Sequence, residues 1–178
     1  MENSAEEPSV SELCTACGIC CSDAMFLYAP LKEGDRERLH RTAYPREMIG
    51  EHSMPLPCPM LAGTRCTIYA DRPNICRSFR CEVLKAAEQG TMPVETAFAH
   101  VREARALLAK LRDVMPEGVS LPKARERWNL DTGQPLDRAV ATAQLAFYAF
   151  NRYIDRHFRS PRKWLVSGDP EAMPETAD

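Results

Sequence analysis

Long apolar runs are missing from this chain of 178 residues. Its longest weakly polar stretch, Ala139 to Phe150, contains Gln144 and is shorter than the roughly 20 residues a membrane-spanning helix needs. The opening residues, Met1-Glu2-Asn3-Ser4-Ala5-Glu6-Glu7-Pro8, are acidic and polar, whereas a secretory signal has a basic start and an apolar run of about 7–15 residues. These absences lead to the expectation of a cytoplasmic protein with no membrane association. Net charge is also scarce, at −2, so no nucleic-acid partner is expected. Glycine numbers only 8, and none forms the loop after a strand that would cradle a nucleotide or S-adenosylmethionine. No repeat of 20–50 residues is visible, which excludes a solenoid.

Cysteine is what the chain has in quantity. Four lie within eight residues, as Cys14-Thr-Ala-Cys17-Gly-Ile-Cys20-Cys21, and four more follow at Cys58, Cys66, Cys76 and Cys81. Thiolates this dense are bridged as disulfides or held by metal, because free thiols oxidise. A reducing compartment keeps structural disulfides rare, and 178 residues can bury a core without covalent staples. Metal binding is therefore the expectation.

The two-residue gaps separating Cys14, Cys17 and Cys20 let one loop aim successive sulfurs at one centre. Cys21 cannot follow them, because neighbouring side chains diverge, so Cys20 and Cys21 are expected to serve different sites or different metals of one cluster. Two four-thiolate sites, or one polynuclear site, follow. The second group has gaps of 7, 9 and 4 residues, which are not those of paired zinc knuckles. The triple cysteine has bacterial ferredoxin spacing, and Cys58 precedes Pro59 as a remote ferredoxin ligand does. Zinc suits closed four-cysteine sites equally well, so zinc and iron, the latter also as iron–sulfur clusters, both remain open.

Around the cysteines, Arg65, Arg72, Arg77 and Arg80 read as surface charge that could also offset thiolate charge. Tyr69 and Phe79 are expected to shield a metal loop from solvent. Of the four histidines, His40, His52, His100 and His157, only His52 is near Cys58 in sequence, and it is read as a solvated loop residue. Asp155 and His157 are expected to face water at a helix end.

Local signals give the organisation. Residues 1–12 read as a flexible leader, 13–90 as the cysteine-cluster metal-binding region, 91–159 as a helical region packed on it as one domain, and 160–178 as a flexible tail, tacked down by Trp164 and Leu165. Gly18 permits a left-handed turn inside the first cluster. Met25 to Tyr28 reads as strand or packed loop, and Gly34 to His40 as a short helix with Leu31 and Leu39 as its core contacts. Met54 to Pro59 is an extended, proline-fixed arm that delivers Cys58. Arg65 to Tyr69 is β-like, and Asp71 is an N-cap candidate for a turn bearing Cys76. Helices are expected from Cys81 to near Gly90, from Pro93 to Pro116 and from Pro122 to Trp128. The clearest stripe is Leu136, Val140, Ala143, Phe147, Phe150, Ile154 and Phe158, which reads as core. The fold class expected is mainly α with irregular cysteine-rich metal-binding loops, with a small α+β fold as the alternative.

The cluster Cys14–Cys21, the Cys58-Pro59 step and the string Cys66-Thr-Ile-Tyr69-Ala-Asp-Arg72-Pro73-Asn-Ile-Cys76-Arg77-Ser-Phe79-Arg-Cys81 resemble the YkgJ-type cysteine-cluster family, also called the CxxCxxCC domain, a zinc- or iron-chelating domain. The resemblance covers roughly residues 13–82 and implies that all eight cysteines are metal ligands. The function it implies is metal or redox handling or a structural metal site, with metal ions as the partners and room for a protein partner. The family includes a bacterial enzyme that methylates lysines on flagellin, so the alternative is a lysine N-methylase-like, metal-dependent protein-modifying enzyme. No catalytic set is identifiable for such an activity.

Overall fold

A computed structural model describes residues 9–128 and 137–160. The expected leader up to residue 8, Leu136, and the tail residues Trp164 and Leu165 lie outside the described residues. Among the described residues the fold is mainly α, with seven α-helices and two small two-stranded sheets.

Helix α1 (Val10–Cys17) begins inside the stretch expected to be leader. Ser9 is its N-cap, and its backbone N–H donates to Glu12 Oε2 at 3.1 Å, so the free first turn is closed by its own sequence. Gly18 ends the helix at φ 67°, with its N–H on the Cys14 carbonyl. A Cβ there would lie 3.0 Å from Thr64 Cα, so both the dihedral and the close approach require glycine. A 3₁₀ turn, Ile19–Cys21, follows. The first cysteine group is therefore a helix end plus a turn, and not the loop expected from its spacing; positions 14 and 17 share one helix face.

Strand β1 (Tyr28–Pro30) pairs antiparallel with β2 (Ser53–Pro55), with Ala29 opposite Met54. Between them α2 (Asp35–His40) buries Leu39 completely. The proline-fixed arm after β2 leads to Cys58, and the hairpin β3 (Leu61–Ala62) and β4 (Arg65–Cys66) turns back at Gly63. Ala29, Leu39, Tyr44, Ile49 and Met54 form a small core, against which Cys58 and Cys76 pack.

Helix α3 (Asn74–Ser78) carries Cys76, and α4 (Glu82–Glu88) starts directly after Cys81. Asp71 does not cap α3. It ends a 3₁₀ turn, and Pro73 takes the N-cap position. The long helices α5 (Val94–Val114) and α7 (Arg138–His157) make the most extensive helix pairing among the described residues, and α6 (Leu121–Trp128) lies between them in sequence. Of the stripe expected on α7, Val140 is half-buried, while Ala143, Phe147, Phe150, Ile154 and Phe158 are all buried. They join Ala97, Val101, Ala104, Leu108 and Leu111 of α5 and Trp128 of α6. This larger core also takes in Leu13 and Ile19, so α1 and its cysteines rest on the helical half. Fully burying side chains of this size stabilises the fold by about 1.5–3 kcal/mol each.

Candidate metal centre

All eight cysteines are partly buried free thiols. The fold sorts them into two fours. Cys14, Cys17, Cys20 and Cys81 line one cavity of about 20 Å³, counted as the space open to the centre of a water-sized sphere. One water needs roughly 10–15 Å³ on that measure. The rest of the wall is apolar: Leu13, Ile19, Met25, Phe79, Val83, Leu84, Val101 and Phe158. Phe79 thus shields this group as expected, braced edge-on by Phe26 at 5.2 Å between ring centroids.

The second four are Cys21, Cys58, Cys66 and Cys76. Their mutual electrostatics identify them as neighbours: charge on Cys76 is opposed by charge on Cys21, Cys58 and Cys66, and charge on Cys58 by Cys21 and Cys66. Within the first four, Cys17 responds to Cys81 and Cys14, and Cys81 to Cys14. Cys21 alone touches both groups, acting on Cys14 and Cys20 as well as on Cys58, Cys66 and Cys76. Cys20 and Cys21 do not diverge as the sequence led us to expect: their sulfurs are hydrogen-bonded to each other, and the two groups abut there.

Burial governs the thiol protonation. It pushes Cys17 and Cys76 up to about 12, and Cys58 and Cys81 up to about 11. Cys14 and Cys66 rise for the same reason. The exception is the adjacent pair: the Cys20 thiol donates to the Cys21 sulfur, which holds Cys20 well above its usual value and brings Cys21 down to about 7. Backbone N–H groups oppose the burial at several sulfurs, mostly from two or three residues further along the chain. Ile19 serves Cys17, Met60 serves Cys58, Ile68 serves Cys66, and Val83 and Leu84 serve Cys81. Hydrogen bonds of this kind steady a thiolate and tune whatever it ligates.

Guanidinium groups supply the counter-charge. Arg72 lowers Cys14, Cys21, Cys66 and Cys76, and therefore serves both groups. It is fixed by donating Nε to the Tyr69 carbonyl at 2.8 Å, with its guanidinium 3.4 Å from the Tyr69 ring centroid. Tyr69 is consequently the outward platform for Arg72, 44% exposed, and not the inward shield expected of it. Arg77 donates to the carbonyls of Arg72 and Ala70, and Arg80 to those of Arg77 and Phe79. Arg105 of α5 reaches across to the Ala16 carbonyl at 3.0 Å, capping α1 and lowering Cys17.

Two contributors escaped the sequence reading. Asp35 is a fully buried carboxylate that accepts Lys32 N–H at 3.0 Å, Asn74 N–H at 2.9 Å and Arg38 Nη1 at 3.2 Å. It does for α3 what Asp71 was expected to do, and so holds the turn that bears Cys76. Tyr44 is the other: it is 3% exposed, and its hydroxyl has no hydrogen-bond partner among the described residues. The histidines stay apart from the sulfurs. His52 is a highly exposed loop residue 3.6 Å from Glu51. Asp155 and His157 do not simply face water: Asp155 pairs with Arg159 at 2.6 Å, and His157 lies against His100 with ring centroids 4.2 Å apart.

As placed, no group of three or more His, Cys, Asp or Glu side chains among the described residues is arranged to hold a metal ion. The thiols of each four are neighbours without meeting at a point. The donor chemistry nonetheless fits soft metal: eight sulfurs in two fours, N–H groups facing sulfur, arginine counter-charge, and an orphaned buried O–H beside the second four. These features define a cysteine-rich, metal-binding class of domain on a mainly helical support. Residues 13–97 match the CxxCxxCC family model, whose description is "Putative zinc- or iron-chelating domain". No curated protein and no solved structure matches the chain. No helix among the described residues is long and apolar enough to cross a membrane.

Proposed function

We propose that the protein holds zinc or iron at two centres, one formed by Cys14, Cys17, Cys20 and Cys81 and the other by Cys21, Cys58, Cys66 and Cys76. The observation that carries this is the sorting of the eight thiols into two fours that abut at Cys20 and Cys21. The sulfurs of the first four wall a cavity, the place for a sulfur-held zinc or iron group. Such a group supplies one-electron chemistry or structural bracing; the side chains supply ligation, an apolar enclosure and counter-charge. The role is metal or redox handling in a reducing compartment, the cytoplasm, where free thiols persist.

The test is anaerobic purification followed by iron, sulfide and zinc analysis of the wild type and two single variants. Cys17→Ser should lose the metal of the first centre and Cys76→Ser that of the second, each leaving the other largely filled. Full metal content in either variant would remove that residue from the ligand set, and a metal-free wild type would end the proposal.

A further inference from the structure

Tyr44 lies in the loop after α2, its backbone N–H held by Thr42 Oγ1 at 3.1 Å. Its ring belongs to the small core with Ala29, Leu39, Ile49 and Met54, and Cys58 and Cys76 pack against that same core. The hydroxyl is buried and unpartnered among the described residues. Leaving such a group unpaired costs about 1–3 kcal/mol, and phenylalanine would fill the same space without that cost. Cys58 and Cys76, packed against that core, are the sulfurs whose charge acts on this hydroxyl, after burial itself. A neutral thiol is a weak acceptor, whereas a metal-bound thiolate sulfur is a strong one.

We propose that Tyr44 donates its hydroxyl hydrogen bond to the thiolate sulfurs of the second centre, at Cys58 and Cys76, and so favours the metal-loaded form of that centre. The inference rests on the two-centre reading above. Tyr44 is a positioning and tuning residue, since it acts through the sulfurs and not on the metal.

The sign of the Tyr44→Phe effect depends on loading, which separates this role from ordinary packing. Without metal, removing an unsatisfied buried hydroxyl should leave the protein as stable as wild type or more so. With metal, the same change removes a hydrogen bond to thiolate and should weaken the second centre's zinc affinity about fivefold or more. The experiment is zinc titration of full-length wild type and Tyr44→Phe against a chromophoric chelator, with urea unfolding of both proteins in excess chelator and in excess zinc. Reduced zinc affinity together with unimpaired metal-free stability supports the proposal. Equal zinc affinity in the two proteins, or an equal loss of stability with and without zinc, overturns it. A wild type that takes up no zinc or other metal overturns the two-centre reading and this inference together, whereas a wild type that fills both centres with affinities matched by Tyr44→Phe overturns the inference alone.

Discussion

Asp35 shows how a single buried carboxylate can place a cysteine 41 positions away. Its two oxygens take two backbone N–H groups and one guanidinium, so the buried side chain is hydrogen-bonded on several sides with no solvent contact. Nothing near Asp35 in sequence announces this. It reads as one charge among many in Gly34 to His40, and its decisive partner, Asn74, is brought to it by tertiary structure. Truncating it removes the acceptor of the Asn74 N–H and the carboxylate partner of Arg38, which keeps its bond to the Arg72 carbonyl. Asp35→Ala should therefore cost about 3 kcal/mol in urea unfolding, and the metal lost first should be that of Cys76 and its three partners. A cost below about 1 kcal/mol would mean that water replaces the carboxylate without penalty.

Helices were the most readable elements, and the reason is periodicity. On α7 the residues Ala143, Phe147, Phe150, Ile154 and Phe158 recur at helical spacing because one face must be buried against α5, and proline marks the start of α5 at Pro93. The cysteine half was legible in its ligand set but not in its shape. A two-residue gap suits a turn and a helix face alike, so Cys14 and Cys17 could not reveal α1. The contacts across α5 and α7 were equally hidden, because Tyr153 and His157 lie 53 and 57 residues beyond His100. His100 Nδ1 lies 2.8 Å from Tyr153 Oη, and the His157 ring lies 4.6 Å from the Tyr153 ring. Burial, His100 and Arg156 all lower the His157 pKa, while Glu103 of α5 bears on Tyr153. The unfolded chain thus takes up this proton first, and the folded state loses stability as pH falls below about 6.5, the ordinary histidine value. Unfolding followed from pH 7.5 to 5 in excess chelator, which excludes acid release of metal, should show this loss. His157→Gln should flatten the profile over that interval, and an unchanged profile would assign the acid sensitivity to other groups.

The two halves of the molecule meet where the two thiol groups meet. Cys20 lines the cavity on the helical side, and the Cys21 carbonyl accepts the Cys58 N–H at 2.9 Å. That joint is already fastened by backbone hydrogen bonds and by Gly18, so little ordering remains for one centre to supply to the other. Charge is then the chief term by which they communicate. Four thiolates around a divalent ion carry −2, and filling one group places that charge beside the other, with Arg72 common to both. The second equivalent of zinc should consequently bind more weakly than the first, by a coupling factor in the usual range of about 5–150-fold. Replacing the shared cation, Arg72→Gln, should weaken both steps and widen the interval between them. Mutation of Arg65, which has no part in the charge balance of the sulfurs described above, should leave the interval unchanged. Stepwise zinc titration against a chromophoric chelator reads both quantities. Because linkage is reciprocal, the factor obtained by disabling the second group with Cys66→Ser must equal that obtained by disabling the first with Cys81→Ser. Two equal, independent steps in the wild type would show that the two groups, though joined by one peptide bond, do not sense each other's charge.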